Sequence, residues 1–147
     1  MAVATTATEK IGSTQAVTMY DHDPDGTAAT DVGWVDLRDY ESFMVLAFAS
    51  TLTGAGATAF TILANSESDG SGTDVEIKAH AVGSAPNAVG DYLVLECTAE
   101  EIVDAGTSLR YVSASLTMAN SADENVVVYI RANSRHPRTG LTSDTVS

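Results

Sequence analysis

Apolar residues in this chain come in short runs, each closed by Gly, Asn, Asp or Ser, and almost nowhere at the spacing of an amphipathic helix. That pattern leaves little room for anything but strands. Candidate strands fall at Gln15–Tyr20, Asp31–Leu37, Ser42–Ser50, Ala57–Ala64, Asp74–His80, Asp91–Thr98, Leu109–Met118 and Asn125–Ala132. The clearest alternation runs from Leu109 to Met118. Tyr111, Ser113, Ser115 and Thr117 share one face, and Val112, Ala114, Leu116 and Met118 the other. Phe43-Met-Val-Leu-Ala-Phe and Val126-Val-Val-Tyr-Ile are unbroken apolar runs, which suits strands covered on both faces. Ala, Thr, Val and Ser supply 69 of the 147 residues, and their small or β-branched side chains fit thin pleated layers.

The turns between these runs have a mechanism. Asp69-Gly-Ser-Gly and Thr53-Gly-Ala-Gly tolerate positive φ, Pro86-Asn87 opens another turn, and Asn120-Ser-Ala-Asp-Glu-Asn reads as a hairpin joining the last two strands. One short helix is expected: Thr98-Ala-Glu-Glu101 is a capping box, Ile102-Val103 follows it, and Gly106 closes it. About eight strands and one helical turn predict an all-β, single-domain β-sandwich or jelly roll over residues 15–138. Residues 1–14 are polar and aperiodic and are expected to form a flexible N-terminal arm, with residues 139–147 as a C-terminal tail. The length fits one domain, and no internal repeat or linker divides it.

Charge narrows the partners. Twenty Asp and Glu against seven Lys and Arg give a formal net charge of −13. Such a chain repels polyanions, which excludes nucleic acid as an expected partner and equally disfavours an anionic membrane surface. Disorder is disfavoured too, because only 18% of residues are charged and 44% are hydrophobic. No segment has the length and apolarity of a transmembrane helix, and the N-terminus lacks the basic and apolar regions of a signal peptide, so synthesis in a cytoplasm is expected. A single Cys97 excludes an intramolecular disulfide and reads as a buried, inert thiol.

Catalytic motifs are weak. Asp21-His-Asp-Pro-Asp-Gly26 has the opening of a calcium loop, with Asp21, Asp23 and Asp25 at alternate positions. Val32 replaces the bidentate Glu at its twelfth position and Pro24 stiffens it, so an acidic surface turn is the simpler reading and no metal site is expected. His22, His80 and His136 lack ligand spacing, no Gly-x-Ser-x-Gly elbow occurs, and Glu100-Glu101 read as partners of the helix N-terminus. The chain is not expected to be an enzyme, and no catalytic residue or cofactor is assigned. One asymmetry stands out. Three of the five arginines lie in the acid-free stretch Arg131-Ala-Asn-Ser-Arg135-His-Pro-Arg138. Arg131, Arg135 and Arg138, with Trp34, are therefore the candidate partner interface, against the plainer readings of self-neutralisation for the arginines and strand-edge anchoring for Trp34.

The order of these pieces resembles small β-rich virion proteins of tailed bacteriophages. The matching stretches are Val32-Gly-Trp-Val-Asp-Leu-Arg-Asp-Tyr-Glu-Ser-Phe-Met-Val-Leu, Ser66-Glu-Ser-Asp-Gly-Ser-Gly-Thr-Asp-Val-Glu-Ile-Lys, Leu109 to Met118, and Arg131 to Arg138. They cover about two-thirds of the chain, and their order carries more than any one of them. The resemblance implies a head decoration (cement) protein, a homotrimer on the capsid exterior whose partner is the major capsid protein. The competing reading is a tail or head-fibre module that recognises a host surface carbohydrate. Such a module wants exposed aromatics clustered on loops, whereas most of the nine aromatics here fall in predicted strands.

Overall fold

The computed structural model describes residues 15–23, 26–81 and 87–135. The expected arm at 1–14, the tail at 139–147, Pro86 and His136 lie outside the described residues. Among these residues, nine strands and one helix follow in the order β1 (Ala16–His22), β2 (Thr30–Asp31), β3 (Val35–Asp36), β4 (Tyr40–Thr51), β5 (Ala57–Asn65), β6 (Val75–Ala81), β7 (Tyr92–Thr98), α1 (Ala99–Ala105), β8 (Tyr111–Met118) and β9 (Glu124–Ser134). They form two antiparallel sheets. One has the order β1-β9-β4-β7; the other has the order β2-β8-β5-β6, with β3 also paired to β8. The chain passes between the sheets at nearly every connection, which is the topology of a jelly roll. The expected all-β sandwich is the observed fold.

Alternation builds the core. Phe43, Val45 and Ala47 of β4, Val127 and Tyr129 of β9, Phe60 and Ile62 of β5, and Val112, Ala114 and Leu116 of β8 all point inward and are buried. The face predicted for Val112, Ala114, Leu116 and Met118 is the core face. Outside the five-stranded sheet lies a polar row, Asp31 opposite Ser115 opposite Thr61. The outside of the four-stranded sheet is different. Its central row is Met19, Val128, Leu46 and Val94 across all four strands. One row to either side, Val17, Ile130 and Met44 end on Glu96, while Asp21 is followed by Val126, Phe48 and Tyr92. Cover on both faces was the expectation for β4 and β9. Among the described residues only the inner face has it.

Two expectations need correction. The predicted strand Asp31–Leu37 is two pieces, β2 and β3, separated at Val32–Trp34. The break sits where Gly33 meets Tyr20: a Cβ on Gly33 would lie 2.6 Å from the Tyr20 ring. Val32 N still donates to Ala114 O at 2.9 Å, but Ala114 N donates to Tyr129 Oη at 2.7 Å. A tyrosine from the opposite sheet thus satisfies the amide that the broken strand leaves open. Second, Asn120–Asn125 is not a hairpin. It carries the chain from β8 in one sheet to β9 in the other, because each strand pairs with the neighbours that its apolar face can share. Asp123 holds this crossing, accepting from Thr53 N at 2.6 Å, Thr53 Oγ1 at 2.8 Å and Asn120 Nδ2 at 3.3 Å. The helix follows its sequence signature. Thr98 caps it, the Thr98–Glu101 capping box is complete, and Gly106 N donates to Ile102 O at 3.1 Å.

Candidate partner interface

At one end of the sandwich, β3 turns into β4 through Leu37, Arg38 and Asp39. Leu37 N donates to Arg110 O at 3.0 Å and Tyr40 N to Leu37 O at 3.0 Å, which fixes the turn against the start of β8. Asp36 Oδ1 accepts from Arg38 N at 2.9 Å, an Asx turn that points the Arg38 side chain outward. On the other side, α1 and the connection from Thr107 to Leu109 form a wall. Between the two lies a cleft of about 270 Å³ lined by Leu37, Ile102, Val103 and Leu109 and by the arginines Arg38, Arg110 and Arg135. Among the described residues its lining contains no Asp, Glu, His or Cys.

The arginines differ in how they are held. Arg110 forks onto Asp36, with Nε to Oδ1 at 2.9 Å and Nη2 to Oδ2, and lies over the Tyr111 ring. Hydrogen bonding to Arg110 holds the Asp36 carboxyl below its ordinary range against the opposing effect of burial. Arg38 has only a loose pair with Asp39 at 3.8 Å, both side chains exposed. Arg131 Nη1 donates to Asp36 O at 2.9 Å and its guanidinium lies over the Tyr40 ring at 5.0 Å. Arg135 is exposed at the cleft, its backbone N donating to Asp39 O at 2.8 Å. Among the described residues, neither Arg131 nor Arg135 is paired with a carboxylate.

Of the residues singled out from sequence, Arg135 lines the cleft and Arg131 lies behind it, bound to the backbone of Asp36. Arg138 lies outside the described residues. Trp34 is elsewhere: it packs on the β5–β6 turn, where a Cβ on Gly70 (φ +73°) would stand 2.2 Å from its Nε1. Arg38 and Arg110 belong to the cleft and sequence reading missed them. The one available signal was that the chain has only five arginines, so any two that share a surface carry weight. The cleft offers two loosely held or unpaired guanidinium forks beside an aliphatic floor. That chemistry suits an acidic segment carrying an apolar side chain.

Other candidate groups are structural. Cys97 is buried and its thiol is pushed up to about 12, first by burial and then by Glu101, with Lys78 opposing. His22 is buried with Nε2 unpartnered among the described residues, and burial lowers its pKa against the pull of Asp23. Asp25 lies outside the described residues, and no cluster of three His, Cys, Asp or Glu that could hold a metal occurs among those described. No helix among them is long and apolar enough to cross a membrane.

No family model matches the chain, nor does any curated protein sequence. Among solved structures it is similar to a pilus protein of Bacillus endospore appendages, at 15% identity over 81% of this chain and 86% of that one, with a TM-score of 0.43. It is similar to the SPBc2 prophage-derived protein YomS at 11% identity, 81% and 95% coverage and a TM-score of 0.43. A third likeness is to the PRD1 vertex protein P5, at 13% identity, 82% and 98% coverage and a TM-score of 0.48. At those scores none of the three bears on function.

Proposed function

We propose that this chain is a structural virion protein, a head decoration protein that binds the major capsid protein on the outside of the shell and stabilises it as a homotrimer. The observation that carries the reading is the acid-free arginine cleft in a chain of net charge −13. A chain this acidic avoids most anionic surfaces, and a site that reverses the local sign gives it one place to hold an acidic segment of a shell subunit. The jelly roll supplies a rigid platform that holds the cleft in place. The sequence resemblance to small phage virion proteins points the same way. Nothing favours the carbohydrate reading: the most exposed aromatic among the described residues, Tyr92, sits on strand β7 against Phe48.

The test is reconstitution. Shells lacking this chain are mixed with purified protein, sedimented, and imaged by cryo-electron microscopy. Hundreds of copies spread over the shell are expected, and Arg135→Glu combined with Arg38→Glu should cut occupancy more than tenfold while circular dichroism stays unchanged. A handful of copies confined to the tail, or full occupancy by the charge-reversed variant, would sink the reading. Light scattering should give about three times the 15.2 kDa chain mass, or a whole multiple of that where trimers pair.

A further inference from the structure

We infer that the outer face of the four-stranded sheet is the surface on which a second copy of this chain docks. A face that meets its own copy closes as a two-fold pair, so this contact is separate from the three-fold association proposed above and does not rest on it. The face carries three consecutive rows of side chains across four strands, and its central row, Met19–Val128–Leu46–Val94, is apolar from edge to edge. Met19 is 66% exposed, Val17 60% and Tyr92 59%. With strands ~4.8 Å apart and like-facing residues ~6.8 Å apart, the three rows span roughly 400 Å² in plan, within the ~300–600 Å² of the largest apolar patch on a typical monomer, a patch that is often functional. The face is also uneven. A hollow of about 500 Å³ opens beside Met44 and Ile130, with Lys78, Glu96 and Glu101 in its lining, and one of about 400 Å³ beside Met19 and Val126, with Asp21 and Glu124, so both hollows are polar at their margins.

Two observations choose the occupant. A basic partner would want acids here, yet the three rows contain only Asp21 and Glu96, out of twenty acids in the chain. Those two stand at opposite corners. When two copies pack face to face with strands aligned, as sheets in sandwiches do, each acid meets Val17 or Tyr92 of the other copy and never another acid. For a chain of net charge −13, this is a place where copies can meet without setting carboxylate against carboxylate.

Sedimentation velocity and light scattering of the full chain at 5–100 µM test this. The wild type should be oligomeric, and Val128→Lys should lower the association constant at least a hundredfold. Met19→Lys, at an exposed edge-strand position where folding is least at risk, should weaken it at least tenfold. A spin label on Met19→Cys should report a second label on the neighbouring copy. A monomeric wild type at 100 µM overturns the inference, as does an oligomer that both lysine variants leave intact. Shell binding is scored separately: loss of occupancy in the arginine variants with self-association retained concerns the cleft, whereas loss of self-association in the lysine variants concerns this face.

Discussion

At the scale of single residues, Tyr129 links the two sheets through a hydroxyl that reaches the Ala114 amide at 2.7 Å and Ser113 Oγ at 3.4 Å, contacts that neither sheet's pattern calls for. Its ring packs edge-on to Phe43 at 5.0 Å and against Tyr20 at 5.0 Å, while its hydroxyl takes the Ala114 amide left open by the break at Gly33. Tyr129→Phe keeps the ring and orphans a buried N–H, so it should cost about 1–3 kcal/mol in urea unfolding with an unchanged m-value. His22 makes a second prediction. Its pKa is lowered in the fold, so the unfolded chain binds its proton first as pH drops below about 6.5. The stability contributed by neutral His22 is full above that pH and falls as pH descends toward the lowered value, at no more than about 1.4 kcal/mol per pH unit. Melting between pH 7.5 and 5 should show this decline, and His22→Gln should remove it while leaving the carboxylate-driven loss at lower pH, where Asp36 and Glu101 become protonated.

At the scale of elements, the short helix and the sheet crossings are held by side chains placed outside the strands. Thr98 Oγ1 accepts from Glu101 N at 3.2 Å and Thr98 N donates to Glu101 Oε2 at 2.8 Å. Thr98→Ala breaks half of this capping box and should cost about 1 kcal/mol, read as a lower melting temperature. Because α1 forms one wall of the arginine cleft, the same variant should weaken shell binding by a smaller factor than the arginine reversals. Asp123 does comparable work for the connection between β8 and β9. Burial alone would raise its pKa, but hydrogen bonds from Thr53 and Asn120 outweigh that and hold it lowered. Asp123→Ala strands the Thr53 amide and unties the two connections, with an expected loss of about 2–3 kcal/mol by denaturant titration.

At the scale of the whole molecule, the charge is not evenly spread. The three central rows on the outer face of one sheet carry only Asp21 and Glu96, and the cleft at one end is lined, among the described residues, by arginines alone of the ionisable groups. If copies meet through the apolar face, their mutual repulsion acts at longer range and is screened by salt. Self-association should therefore strengthen several-fold between 20 and 300 mM NaCl in sedimentation experiments. Binding at the arginine cleft should weaken over the same range, since an ion-pair contact loses strength as it is screened. Opposite salt dependences for two surfaces of one chain separate them without a mutation.

The all-β class, the strand count to within the split at Gly33, the capped helix and the inward row from Val112 to Met118 were all legible in the sequence. Each depends on residues within about ten positions of one another, where side-chain period and turn chemistry act directly. What could not be read was which strands are neighbours. A two-residue period says which side chains share a face, and it is silent on what lies across that face. Hence Asn120–Asn125 looked like a hairpin and is a crossing, and two apolar runs looked doubly covered but have one face open. Arg131 and Arg135 were visible as a cluster because they are close in the chain, whereas Arg38 and Arg110 reach the same place only through the pairing of β3 with β8. The sequence determined that this acidic chain folds as a β-sandwich with an inert thiol and a basic stretch. The tertiary structure alone decided that the arginines of distant segments converge on one cleft and that one sheet face stays apolar and open. The reason is physical: those features are made by contacts between segments dozens of residues apart, which no local pattern encodes.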